Sequence, residues 1–137
     1  MRILLVSNYQ PPHMGGIEFA AQSLKACWER DGHTVTWLTT DLPRGARTCT
    51  PDNVRVPAAN FAERWWQINS PLVSPLAYPR IVELVNSHDA VNVHSLAPGL
   101  SVVAMRAALT RGRRTVVTQH VAIIPLAGVL AAIAGSL

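Results

Sequence analysis

The chain has 137 residues, enough for one domain that buries about two thirds of its surface. A composition of 49% hydrophobic and 15% charged residues excludes disorder, and a scattered net charge of +4 gives no reason to expect a nucleic-acid partner. Cys27 and Cys49 have neither C-x-x-C spacing nor a paired histidine set, which excludes a disulfide framework and a zinc site and suits a reducing, cytoplasmic compartment.

The stretch that organises the chain is Arg2 to Glu18, R-I-L-L-V-S-N-Y-Q-P-P-H-M-G-G-I-E. Ile3 to Val6 reads as a buried strand, too short an apolar run for a signal peptide. A proline-bearing loop, the Gly15-Gly16 pair and a helix start follow. Glycines let backbone approach a ligand closely, and the N–H groups of a first helical turn point at negative charge. A phosphate-bearing small molecule is the expected ligand; the alternative is that the pair serves only a tight turn. There is no G-x-G-x-x-G and no G-x-x-x-x-G-K-[ST], so neither the dinucleotide fingerprint nor the P-loop is present.

Ile17 to Arg30 carries Phe19, Ala20, Leu24, Cys27 and Trp28 near helical period and stops at Asp31-Gly32. On that helix Cys27 is expected to pack as a small hydrophobe. His33 to Thr39 alternates and is rich in β-branched residues, predicting a second strand. Thr40 to Asn53 reads as a loop, and Val54 to Val56 as a short third strand. Pro57 to Pro79 is the least readable part. Its rings Phe61, Trp65, Trp66 and Tyr78 suit either core packing or a groove for an apolar or lipid-linked partner.

Arg80 to Ser87 predicts a helix, Ala90 to His94 a strand, Pro98 to Gly112 a helix and Thr115 to Gln119 a last strand ending in His120. The basic residues Arg106, Arg111, Arg113 and Arg114 gather at a helix end, where cations offset the dipole. A contact of this cluster with Trp65, Trp66 and anionic lipid at the inner face of the membrane is the competing reading. Val121 to Leu137 holds seventeen uncharged residues interrupted by Pro125 and Gly128, predicting a buried helix rather than a membrane span.

Alternating strands and helices, with strands of the buried β-branched kind, predict parallel βαβ units in an open doubly wound α/β sheet. Ligands in such sheets sit beyond the carboxyl ends of the strands. That rule places Asn8, Gly15, Gly16, Asp41, His94 and His120 on one rim. A histidine there can hold a sugar hydroxyl or act as acid or base. His33 is expected to be structural, and His13 is left open. The three histidines His13, His94 and His120 have no metal-ligand spacing, so no metal or cofactor is expected.

The opening M-R-I-L-L-V-S-N-Y-Q-P-P-H-M-G-G-I-E, D-G-H-T-V-T-W-L-T, D-A-V-N-V-H-S and T-V-V-T-Q-H-V resemble the amino-terminal domain of glycosyltransferase family four. The resemblance covers nearly the whole chain and is weakest between Arg44 and Pro79. It implies one Rossmann-like half, residues 1–137, of a two-domain GT-B enzyme, a retaining hexosyltransferase type that moves a sugar from a nucleotide-diphosphate donor to a glycan, lipid or small-molecule acceptor. By the same resemblance Gly15 and Gly16 lie against the donor's diphosphate and sugar, and His120 is the catalytic-side histidine near the donor sugar. Asn8, His13 and His94 become acceptor-side candidates. Ala122 stands where the family often has glycine.

The carboxy-terminal donor-binding half, with its basic pair and acidic motif, is not among these residues, so the fold is expected to be incomplete and the chain a fragment. Loss of one electrostatic donor for a departing group costs roughly 100- to 1000-fold in rate. The isolated chain is therefore expected to be inactive, with a partner domain or subunit covering its apolar tail. Two other readings compete. One is a non-catalytic subunit of a two-chain transferase, or a gene remnant. The other is a nucleotide-binding oxidoreductase half, in which Asp41, 25 residues beyond Gly16, is the ribose-binding acid.

Overall fold

The computed structural model describes residues 1–11, 15–42, 50–60, 71–96 and 99–120. Its elements run β1 (Arg2–Val6), α1 (Gly16–Arg30), β2 (Thr34–Thr40), β3 (Asn53–Val56), β4 (Ala58–Ala59), β5 (Leu72–Val73), a 3-10 turn (Pro75–Ala77), α2 (Tyr78–Ser87), β6 (Ala90–His94), α3 (Leu100–Leu109) and β7 (Arg114–Thr118). Five strands pair in parallel in the order β3-β2-β1-β6-β7, and β4 and β5 form a separate antiparallel ribbon. The order reverses between β1 and β6, which is where a doubly wound sheet opens its ligand crevice.

Alternation along β1 divides the core between two faces. Ile3 and Leu5 point to one side and pack with Ala21, Val35, Trp37 and the half-buried Trp28, under α1. Leu4 and Val6 point to the other and join Leu38, Val91, Val93, Ile81, Val85, Leu100 and Ala104, under α2 and α3. Helices thus cover both faces, as the predicted doubly wound α/β sheet requires. Each fully buried Leu, Ile or Val contributes roughly 1.5–3 kcal/mol relative to exposure.

α1 ends where expected: Asp31 N–H reaches Cys27 O and Gly32 N–H reaches Glu29 O, both at 3.1 Å, with Gly32 at φ 83°. α2 starts two residues earlier than predicted, because Ser74 Oγ caps the preceding 3-10 turn and Pro79 fits a first helical turn. Arg111 Nη1 donates to Ala107 O at the end of α3 (3.1 Å), and Arg113 Nη2 donates to Asn86 O at the end of α2 (2.8 Å). These two arginines serve helix ends, as the dipole argument required.

Two expectations are corrected and one open alternative is narrowed. Phe19 does not join the buried face of α1 but is 49% exposed, because Ala21 and Trp28 make the helix's contact with the sheet. Of the two readings open for Tyr78, core packing does not hold: the residue is 45% exposed as the first residue of α2 and lines an apolar cavity. β7 is not a buried strand: Val116 and Val117 are exposed, since among the described residues β7 is the sheet's edge and has a neighbour on one side only. Phe61, Trp65, Trp66, Cys49 and the Val121–Leu137 segment lie outside the described residues. Among the described residues no helix is long and apolar enough to cross a membrane.

Candidate functional site

The segment leaving β1 is tied down atom by atom. Trp37 Nε1 donates to Ser7 Oγ (2.9 Å), and the Ser7 hydroxyl donates to Tyr9 O (2.7 Å). Asn8 O accepts from the backbone N–H and the hydroxyl of Thr40, and Tyr9 Oη accepts from Asn60 Nδ2 at 2.7 Å. These bonds hold the backbone of Asn8 and leave its side chain over. Asn8 Oδ1 is buried with no hydrogen-bond partner among the described residues. A buried acceptor without a donor costs roughly 1–3 kcal/mol, the kind of debt that a ligand hydroxyl would remove.

At the start of α1 the two glycines prove to be unlike. Gly15 is the N-cap, in extended conformation, and has no side chain to cap the helix. Glu18, only 6% exposed, folds back over it, and a Cβ at position 15 would run into its carboxylate. The N3 position of Glu18 is that of a capping-box carboxylate, and the helix dipole favours negative charge there. Gly16 is exposed, and a Cβ built on it meets none of the described residues within 4 Å. The open space of this turn is therefore at Gly16.

The other side of the crevice is the turn from β6 into α3. His94 ends β6 and is 1% exposed. Its carbonyl accepts the Ser101 hydroxyl at 3.0 Å, and its Nδ1 lies 2.8 Å from His120 Nε2, with ring centroids 4.9 Å apart and planes at 31°. His94 Nε2 is buried with no partner among the described residues. Burial first, and the nearby charge of His120 second, lower the His94 pKa to about 4, so the ring is neutral at pH 7. His120 follows β7 and is exposed.

The surrounding backbone is pinned to β7. Ser95, at φ 69°, donates its N–H to Thr118 O (2.9 Å), Leu96 N–H donates to Gln119 Oε1 (3.0 Å), and Asn92 Nδ2 donates to Thr118 Oγ1 (3.1 Å). Gly99, the N-cap of α3, has φ 131°, and a Cβ there would lie 2.7 Å from Pro71 O and 3.2 Å from Asn8 Oδ1. Only glycine permits that approach of the α3 start to both Asn8 and the strand β5 segment.

The register Val6↔Val93 carries Ser7 level with His94 and Asn8 one residue further, past the end of β1, while β6–β7 pairing (His94↔Thr118) brings His120 to His94. Of the predicted rim, then, Asn8, His94 and His120 sit at the switch point. His13 lies outside the described residues. Asp41 is not a free rim acid: its Oδ1 accepts from Ala58 N–H (3.0 Å) and its own N–H bonds Val56 O (2.9 Å), which anchors β4. His33 Nδ1 lies 3.3 Å from the amino terminus of Met1, a structural place. Sequence reasoning missed Ser95, Gly99, Ser101 and Gln119. A Ser directly after a strand-ending His and a Gly opening a helix were the available signals. Among the described residues no group of three His, Cys, Asp or Glu could hold a metal ion.

The model of the glycosyl transferase 4-like domain matches residues 15–136. The chain belongs to that family, so the rim described above is part of a glycosyltransferase-like domain. No curated protein matches the chain.

Proposed function

We propose that this chain is the acceptor-side half of a retaining GT-B glycosyltransferase that moves a hexosyl group from a nucleotide-diphosphate sugar to an acceptor hydroxyl. The observation that supports it best is the linked His94–His120 pair at the switch point, in a chain of the glycosyl transferase 4-like family. On this reading the donor's diphosphate and sugar approach the open Gly16 turn and His120. The acceptor lies against Asn8 and His94, where a hydroxyl can donate to Asn8 Oδ1, which has no partner among the described residues. Departure of the nucleotide diphosphate builds negative charge, and cations placed to meet it belong to a second Rossmann-like half. Without that half, reactants are not held in register and these residues alone do not turn over.

The test is titration of the isotope-labelled chain with UDP- and GDP-sugars, with a parallel assay for released nucleotide. The reading expects shift changes confined to Gly15, Gly16, His94 and His120, and no release. Changes confined to residues away from the rim would sink it, and release of nucleotide by the chain alone would sink its dependence on a second half.

A second reading, a non-catalytic subunit that completes a two-chain transferase, is favoured by one surface. Leu72 and Leu76 are 61% and 88% exposed beside an apolar cavity of about 360 Å³ lined by Val73, Pro75, Tyr78, Ile81 and Val103. Light scattering on the native complex separates the two readings, because a subunit copurifies with a partner.

A further inference from the structure

We propose that His94 is a positioning residue for His120: its Nδ1 accepts the Nε2–H of His120, holds that ring in the Nε2–H tautomer and leaves Nδ1 as the nitrogen offered at the rim. His94 is suited to be the fixed partner. It is 1% exposed, lies in the sheet between β1 and β7, and has its carbonyl anchored by the Ser101 hydroxyl. His120 is the opposite case, exposed beyond the end of β7 and, among the described residues, hydrogen-bonded to nothing but His94. Among the described residues nothing but His94 holds that ring.

The direction of the bond follows from the charge states. His94 stays neutral, so one of its nitrogens bears a proton and the other a lone pair. When His120 is charged both of its nitrogens are donors, and the bond survives only if the His94 lone pair is on Nδ1. The same arrangement also serves a neutral His120, so His94 need not change tautomer. The outward Nδ1 of His120 then presents a lone pair that can accept from a sugar hydroxyl.

This role rests on the glycosyltransferase reading of the rim, but its test needs no ligand, so failure of one is distinguishable from failure of the other. Long-range proton–nitrogen spectra of the ¹⁵N-histidine-labelled chain at neutral pH report each ring's tautomer. Both His94 and His120 are expected as the Nε2–H form. His94→Phe should collapse the His120 nitrogens to the averaged pattern of a free imidazole, and His94→Asn, whose amide oxygen can stand near the Nδ1 position, should restore the fixed form. An averaged or Nδ1–H His120 in the wild type overturns the proposal, as does a pattern unmoved by His94→Phe. Should His94→Phe not fold, the wild-type spectrum and His94→Asn decide.

Discussion

Two turns leave the carboxyl edge of the sheet at its switch point, and they are specified in opposite ways. The turn into α1 is local: Gly15 must be small because Glu18, three residues on, folds over it, and Gly16 faces open space. The turn into α3 is specified from a distance. Gly99 is held against Pro71 and Asn8, Ser95 sits at φ 69° because its N–H is drawn to Thr118, and His94 meets His120 across 26 residues. Local constraint leaves a turn adaptable. Long-range constraint stores strain and unpartnered polar atoms, and such features gather at ligand sites.

The comparison is broken most forcefully at Gly99. Gly99→Ala places a Cβ 2.7 Å from a backbone carbonyl at a φ that disfavours any side chain, so we expect a loss of about 3 kcal/mol or more in urea unfolding. An effect below about 1 kcal/mol would mean that the α3 start is not held as described.

Next in size is the pH dependence. The folded pKa of His94 is depressed from 6.5 to about 4, so the unfolded chain takes up a proton before the native one does. Its contribution is complete above pH 6.5 and is lost as pH falls toward 4, amounting to up to about 3 kcal/mol. His88, also lowered chiefly by burial, adds in the same direction. Unfolding at pH 7 and pH 4.5 should show the loss, and His94→Asn should flatten most of it. A slope unchanged by His94→Asn would assign the loss to other groups.

The unequal legibility of the molecule has the same physical origin. The strand Ala90–His94 was readable to the residue because alternation and β-branching are local properties, and the rim list followed from the rule that parallel strands all end on one side. Asn8, His94 and His120 do stand at that edge of the sheet. The bond that ties Asp41 to β4 was not legible, because its partner, Ala58, is 17 residues away and a backbone N–H has no sequence signature. The side on which Tyr78 falls, and the exposure of β7, were not legible for a related reason. A ring or a Val-Val pair announces hydrophobicity, but exposure depends on which neighbours the topology supplies. A glycine opening a helix was the one local signal for Gly99, but nothing near it in the chain requires φ 131° or the approach to Pro71 and Asn8.

The smallest effects are expected at the local turn, where the double substitution is the informative one. Gly15→Ala should cost about 1 kcal/mol by displacing the Glu18 carboxylate from its capping position. In the Glu18→Ala background the same change should cost much less, because the atom it strikes is gone. Additive losses would show that Glu18 is not what restricts position 15.

Gly16→Ala should leave stability unchanged or raised by a few tenths of a kcal/mol, since none of the described residues lies within 4 Å of the new methyl and Ala is the better helix former. Any weakening of nucleotide-sugar binding in that variant would then come from the space itself, because the fold is untouched. Unaltered binding to both Gly16→Ala and the bulkier Gly16→Leu would remove the α1 turn from the donor's path and leave the His94–His120 side to carry the site.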